Sequence, residues 1–258
     1  MAVDTSVVWS FLLVFVRISS FMIIVPVFSG RQIPSTYKIG FSAALALLCV
    51  GIIKEPIDSL PQWALLLLIF KEFLVGIVLG MTAAIFLYSV QLAGSLLDIQ
   101  TGFSMATLFD PNFGLSEPLT GRLKNILAIL VLLSTNGHLL LIQGILASFD
   151  WISLQDTVPA LIDGRLSAYI LECVKQMFMI GFMMAAPILG AMFVCDVALG
   201  ILGKTVPQLN IISIAPPLKI LLHFMIFIII MPSFFYLLKI LFENMFGSMS
   251  SILNIMGA

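Results

Sequence analysis

The sequence predicts an all-α integral membrane protein of about six apolar helices, with Pro-broken and re-entrant segments. Of its 258 residues, 61% are hydrophobic and only 10% charged, whereas soluble domains are about half apolar and a quarter charged. The apolar residues gather into six runs, most of them near the ~20 residues a helix needs to cross a bilayer. Proline interrupts three of these runs, and one further apolar stretch carries turn residues in place of helix formers.

In chain order the runs are 7–28, 39–53, 63–87, 126–149, 170–202 and 218–242. Ahead of the first run stands one acidic residue, Asp4, and no Lys or Arg precedes Arg17. The basic region of a secretory signal is therefore missing, and the first run is expected to stay in the mature chain. The second run is short. The third extends towards Leu97 and the fifth exceeds one simple span, which predicts tilt, kinks or re-entrant pieces. No long polar stretch or linker divides the chain, so one membrane-embedded domain is expected over residues 1–258.

Lys and Arg in the connections set the orientation. With the N-terminus outside, the inner connections hold Arg31, Lys38, Arg122, Lys124, Lys204 and Lys219, and the outer ones hold Lys54, Arg165 and Lys239. This bias favours both termini outside. With 12 basic against 13 acidic residues, the chain has no field to attract nucleic acid. Cys49, Cys173 and Cys195 lie in apolar runs without metal-ligand spacing, which suits small buried hydrophobes.

Several features exceed what a plain bundle requires. Gly76, Gly80, Ala83 and Gly94, with Asp98 following, fall near one face of a helix and form a groove of small residues for a close-packed neighbour. Arg17, Lys71, Glu72, Glu172, Lys175 and Asp196 lie within or at the ends of apolar runs, where a charge must be paired or hydrated. Glu172 and Lys175 suit a local pair at i, i+3. Lys71 and Glu72, about 100° apart on a helix, are expected to seek different partners. Arg17 has no acid in its own run, so it is expected to reach across the bundle or to another subunit, and Asp196 poses the same problem. Pro26, Pro187 and Pro232 each remove a backbone donor, predicting kinked or broken helices.

The stretch 100–114, QTGFSMATLFDPNFG, places Phe103, Met105, Leu108, Phe109 and Phe113 around the turn residues Asp110 and Pro111. So apolar a loop is expected to be buried in an assembly or to dip back as a plug, where Met and Phe side chains seal a pore by deformable packing. A second stretch, GKTVPQLN over 203–210, contains Lys204, Pro207, Gln208 and Asn210, and APPLK over 215–219 follows. Its prolines predict an interruption of the helix and a turn on the cytoplasmic side. His138 and His223 lack HExxH spacing and are expected to be buried with local backbone partners; no phosphate loop or nucleophile elbow is present. No enzyme activity and no cofactor are expected. A stand-alone transporter or channel using Lys71, Glu72, Asp196 or His138 is the alternative reading of the buried charges.

The motifs GFSMATLFDPNFG and GKTVPQLN, with Arg17, Pro26, Lys38, Lys71-Glu72 and Gly137-His138 in the same order, resemble the FliR family of flagellar type III export proteins and its injectisome counterparts. The resemblance covers essentially the whole chain. It departs at Lys204, where the family leads one to expect Arg, which would forfeit a bidentate contact. It implies a subunit of a closed export gate in the bacterial inner membrane, at the flagellar basal body, that passes unfolded proteins during flagellum assembly. The implied partners are five FliP and four FliQ copies per FliR in a helical hetero-oligomer, joined by FlhB and FlhA, sitting partly above the bilayer plane. The family's plug loop maps onto residues 102–114.

Overall fold

A computed structural model describes residues 5–30, 33–51, 61–103, 119–155, 164–206, 208 and 210–257. Among them all regular structure is helical: α1 (Thr5–Ile24), α2 (Pro26–Ser29), α3 (Ser35–Val50), α4 (Gln62–Thr101), α5 (Leu119–Ser134), α6 (Gly137–Trp151), α7 (Arg165–Thr205) and α8 (Ile211–Gly257). The chain is an all-α membrane protein. Four helices are long and apolar enough to cross a bilayer, or five spans result if α5 and α6 count as one bent span.

Local chemistry explains the first break. Val25, preceding Pro26, is pushed to extended backbone (φ −64°, ψ 120°), and Pro26 starts α2, where its missing N–H costs nothing. Lys38 then donates to the carbonyls of Ser29 at 2.9 Å and Gly30 at 3.4 Å, supplying donors beyond the end of α2. The chain turns back through α3, which packs on α1. With 16 residues, α3 is about 24 Å long, short of the ~30 Å hydrocarbon core.

The expected 126–149 run is two helices, with a bend of 72° between them. Thr135 turns its hydroxyl onto the Leu132 carbonyl at 3.2 Å, and Asn136 adopts the left-handed conformation at φ 57°. Asn tolerates that conformation better than most residues. Gly137 follows because a Cβ there would stand 2.8 Å from Leu132 Cγ and 3.0 Å from its carbonyl oxygen.

The interruption expected over 203–219 is present between α7 and α8, whereas the breaks expected at Pro187 and Pro232 are absent. Pro187 lies inside α7, and Pro216, Pro217 and Pro232 lie inside α8. Each removes one donor, and helix propagation carries the chain through. Six plain spans therefore give way to fewer, longer helices of 40, 41 and 47 residues for α4, α7 and α8.

Two compact units share these elements. Unit 1 comprises Met1–Phe86, Leu132–Val174 and Glu243–Ala258; unit 2 comprises Leu87–Val131 and Lys175–Phe242. Fully buried side chains of unit 1 include Leu13, Ile18, Phe21, Leu79 and Leu141, and those of unit 2 include Leu87 and Leu97. Many large apolar side chains on α7 and α8 face outward, among them Phe178, Phe182, Phe193, Ile228 and Ile229.

Candidate functional site

In unit 1 the buried charges converge. Arg17 on α1 and Glu72 on α4 are both fully buried. The Arg17 guanidinium donates through Nε to Glu72 Oε2 and through Nη2 to Oε1 at 3.0 Å, the fork geometry that suits a carboxylate. Its remaining donors reach the end of α6: Nη1 donates to the Ser148 carbonyl at 3.0 Å and hydroxyl at 3.1 Å, and Nη2 to the Ile152 carbonyl at 3.1 Å. The Phe149 ring lies 4.2 Å from the guanidinium carbon. Arg17 therefore reaches across the bundle within its own chain.

Lys71 finds partners apart from those of Glu72, as the helical wheel predicts, and reaches Glu72 as well. Its Nζ is 2.8 Å from Glu72 Oε1 and donates to the carbonyls of Ser153 at 2.7 Å and Leu154 at 3.0 Å. The flexible four-carbon stem closes the 100° gap between neighbours. Two cations thus meet one carboxylate and the carbonyl-rich C-terminal end of α6, where the helix dipole favours positive charge. Ser148, Ile152, Ser153 and Leu154 are members of this cluster that sequence pattern could not nominate, because their contribution is largely through backbone oxygen.

The small residues explain how α1 comes so close. A Cβ on Gly76 would collide with Ser20 Oγ and the Arg17 carbonyl, and one on Gly80 would stand 3.1 Å from Ile24 Cβ and 3.2 Å from the Phe21 carbonyl. In unit 2, Gly94 has a different neighbour: a Cβ there would collide with the backbone of Gly121 on α5. Gly76 and Gly80 accordingly admit α1 in unit 1, and Gly94 admits α5 in unit 2.

Asp98 is buried beside that second contact. Its carboxylate accepts from the Thr120 N–H at 3.2 Å to each oxygen and from the Thr120 hydroxyl at 2.5 Å, while the hydroxyl also lies 2.9 Å from the Gly94 carbonyl. A carboxylate from α4 therefore satisfies a free donor in the first turn of α5. Nearby in sequence, Gln100 Nε2 donates to Asp196 Oδ2 at 2.7 Å, and Lys219 pairs with Asp196 Oδ1 and donates to the Gln100 carbonyl at 3.3 Å. Asp196 is thus satisfied within the chain, by α4 and α8.

With Lys71, Glu72 and Asp196 each bonded within the fold, the transporter reading loses three of the four groups it relied on. A family model described as bacterial export proteins, family 1, matches residues 8–245. The chain belongs to this family. It is 39% identical over 248 residues to the flagellar biosynthetic protein FliR of Bacillus subtilis (strain 168), covering 96% of each chain. It is 29% identical over 251 residues to the FliR of Escherichia coli (strain K12), covering 95% of this chain and 92% of that one. The Yop proteins translocation protein T of Yersinia pestis is 27% identical over 205 residues, covering 79% and 78%.

The FliR-type motif residues fall unevenly on the structure. Of the plug stretch, Phe103 is described and half-buried, following Gly102 at φ 89°. Met105, Leu108, Phe109, Asp110, Pro111 and Phe113 lie outside the described residues. In the second motif Lys204, Gln208 and Asn210 are exposed, and Pro207 lies outside the described residues. Asn210 works through its backbone, its carbonyl accepting from the amides of Ser213 at 3.1 Å and Ile214 at 3.3 Å as α8 begins. Lys124, placed by charge counting in a connection, is buried in α5, and among the described residues the Nδ1 atoms of His138 and His223 have no hydrogen-bond partner.

Proposed function

We propose that this chain is the FliR-type subunit of a flagellar type III protein export gate, a non-enzymatic component that helps pass unfolded flagellar proteins across the bacterial inner membrane during flagellum assembly. Identity of 39% over 96% of both chains to a flagellar FliR carries this reading. The shorter and weaker match to the translocation protein T favours the flagellar over the injectisome system. In the proposed assembly the partners are FliP and FliQ, five and four copies to one of this chain, with FlhB and FlhA, at the flagellar basal body. The outward apolar faces of α7 and α8 suit burial against such subunits as well as against lipid.

The residues divide the work. Gly76, Gly80 and Gly94 let helices approach, and the Arg17–Glu72–Lys71 cluster and Asp196 hold them in register. Residues 103–113 supply the pore closure. Energy comes from other components. Intact mass of the complex purified with a tagged copy of this chain tests the assembly, and recovery of the lone chain would overturn it. Deleting residues 103–109 in the assembled gate should raise small-ion conductance; unchanged conductance would sink the plug assignment.

A further inference from the structure

Unit 2 buries a cation and an imidazole that the gate reading does not use. Lys124 on α5 and His223 on α8 are each 1% exposed, and among the described residues neither Lys124 Nζ nor His223 Nδ1 has a hydrogen-bond partner. Both lie against Phe227. Its ring centroid is 5.0 Å from Lys124 Nζ, and it stacks nearly parallel to the His223 ring at 6.3 Å and 10°. Phe224 meets His223 edge-on at 5.3 Å. Aromatic faces accept one cation well and offer a second none of the hydrogen bonds it loses with water.

The charged groups facing the pair are Asp98 from α4, Lys124 from α5 and His223 itself from α8. Asp98 is one negative charge, and it is already bonded to the Thr120 amide and hydroxyl. The site is therefore balanced for one positive charge, with His223 neutral.

We propose that Lys124 and His223 form a proton-responsive anchor for α5: the site holds one positive charge and not two, so protonating His223 at acid pH loosens α5 from α4 and α8. Once α5 opens and His223 meets water, its imidazole takes up a proton near pH 6.5, so acidification below that value favours the opened state over the closed one. The second proton places two like charges around a shared ring, with a single, already engaged carboxylate as counter-ion. The contacts at stake are Lys124 on Phe227 and Thr120 on Asp98, which tie α5 to its neighbours.

The test uses the full-length chain purified in detergent with its co-purifying subunits, melted at about pH 8 and about pH 5. Wild type should lose several degrees of melting temperature in acid. His223→Gln should flatten that dependence, and Lys124→Met, which removes the like charge beside a protonated His223 but leaves the imidazole buried, should reduce it. A variant that merely weakens packing lowers the melting temperature equally at both pH values. Hydrogen exchange over 119–131, corrected for intrinsic rates, should show acid-induced opening in wild type and not in His223→Gln. If His223→Gln does not fold, Lys124→Met decides. A wild-type pH dependence that persists unchanged in the variants that fold overturns the proposal.

Discussion

Glu72→Gln isolates the buried charge in unit 1 without changing its volume. The native carboxylate holds Arg17 by two donors and Lys71 at 2.8 Å, and the side chains of Arg17 and Glu72 have no exposed surface. The amide keeps one acceptor and turns two N–H donors towards groups that are themselves donors. Two cations then share that one amide oxygen, the Ser148 hydroxyl and the carbonyls of Ser148, Ile152, Ser153 and Leu154, with no negative charge among them. Removing one partner of a buried ion pair costs about 3–5 kcal/mol. For a chain of this size, that corresponds to a fall in melting temperature of about 6–20 °C. Tryptophan fluorescence is the appropriate assay, because Trp9, Trp63 and Trp151 all belong to unit 1 and Trp151 directly precedes Ile152. Arg17→Met combined with Glu72→Met should recover much of the loss, since both charges leave together. A melting temperature for Glu72→Gln within about 2 °C of wild type refutes the reasoning.

Four other substitutions separate tight from loose features of the fold. Gly76→Val should cost at least about 1–3 kcal/mol by forcing α1 away from α4, whereas Gly190→Ala, where a Cβ meets nothing within 4 Å, should be neutral or stabilise by up to about 1 kcal/mol; thermal melts of the two variants check the contrast. Asp98→Ala removes the acceptor for Thr120 and should cost about 1–2 kcal/mol, read as faster hydrogen exchange in the first turn of α5, with exchange in α6 unchanged. Asp196→Asn should cost under about 1 kcal/mol, because the Asp196 side chain is 36% exposed; a melting shift as large as that of Glu72→Gln would contradict this assignment.

Which parts of this chain are legible in the sequence follows from the range of the forces involved. The break at Pro26 is local: one ring constrains its predecessor and removes one donor, and both effects act within a turn. The same ring chemistry misleads at Pro187 and Pro232, because helix continuity is cooperative over many residues and outlasts a missing bond. The bend at Asn136 is a further instance: an Asn-Gly pair inside an apolar run is a visible turn signal, and the 126–149 run hides it under its hydropathy.

By itself the sequence determined that this is an all-α membrane protein, that it resembles the FliR family, and that Arg17, Lys71, Glu72 and Asp196 need partners. Apolar composition and helical period are properties of the chain, and they survive without knowledge of what touches what. Tertiary structure alone decided the partners. Arg17 and Glu72 are 55 residues apart, and Arg17 and Ser148 are 131 apart. Lys71 pairs with its own neighbour because its stem bends back, and Lys124 is buried because α4 and α8 enclose it. A buried charge states a need that any carboxylate or carbonyl could meet. Only the packing of the helices selects which one is within 3 Å.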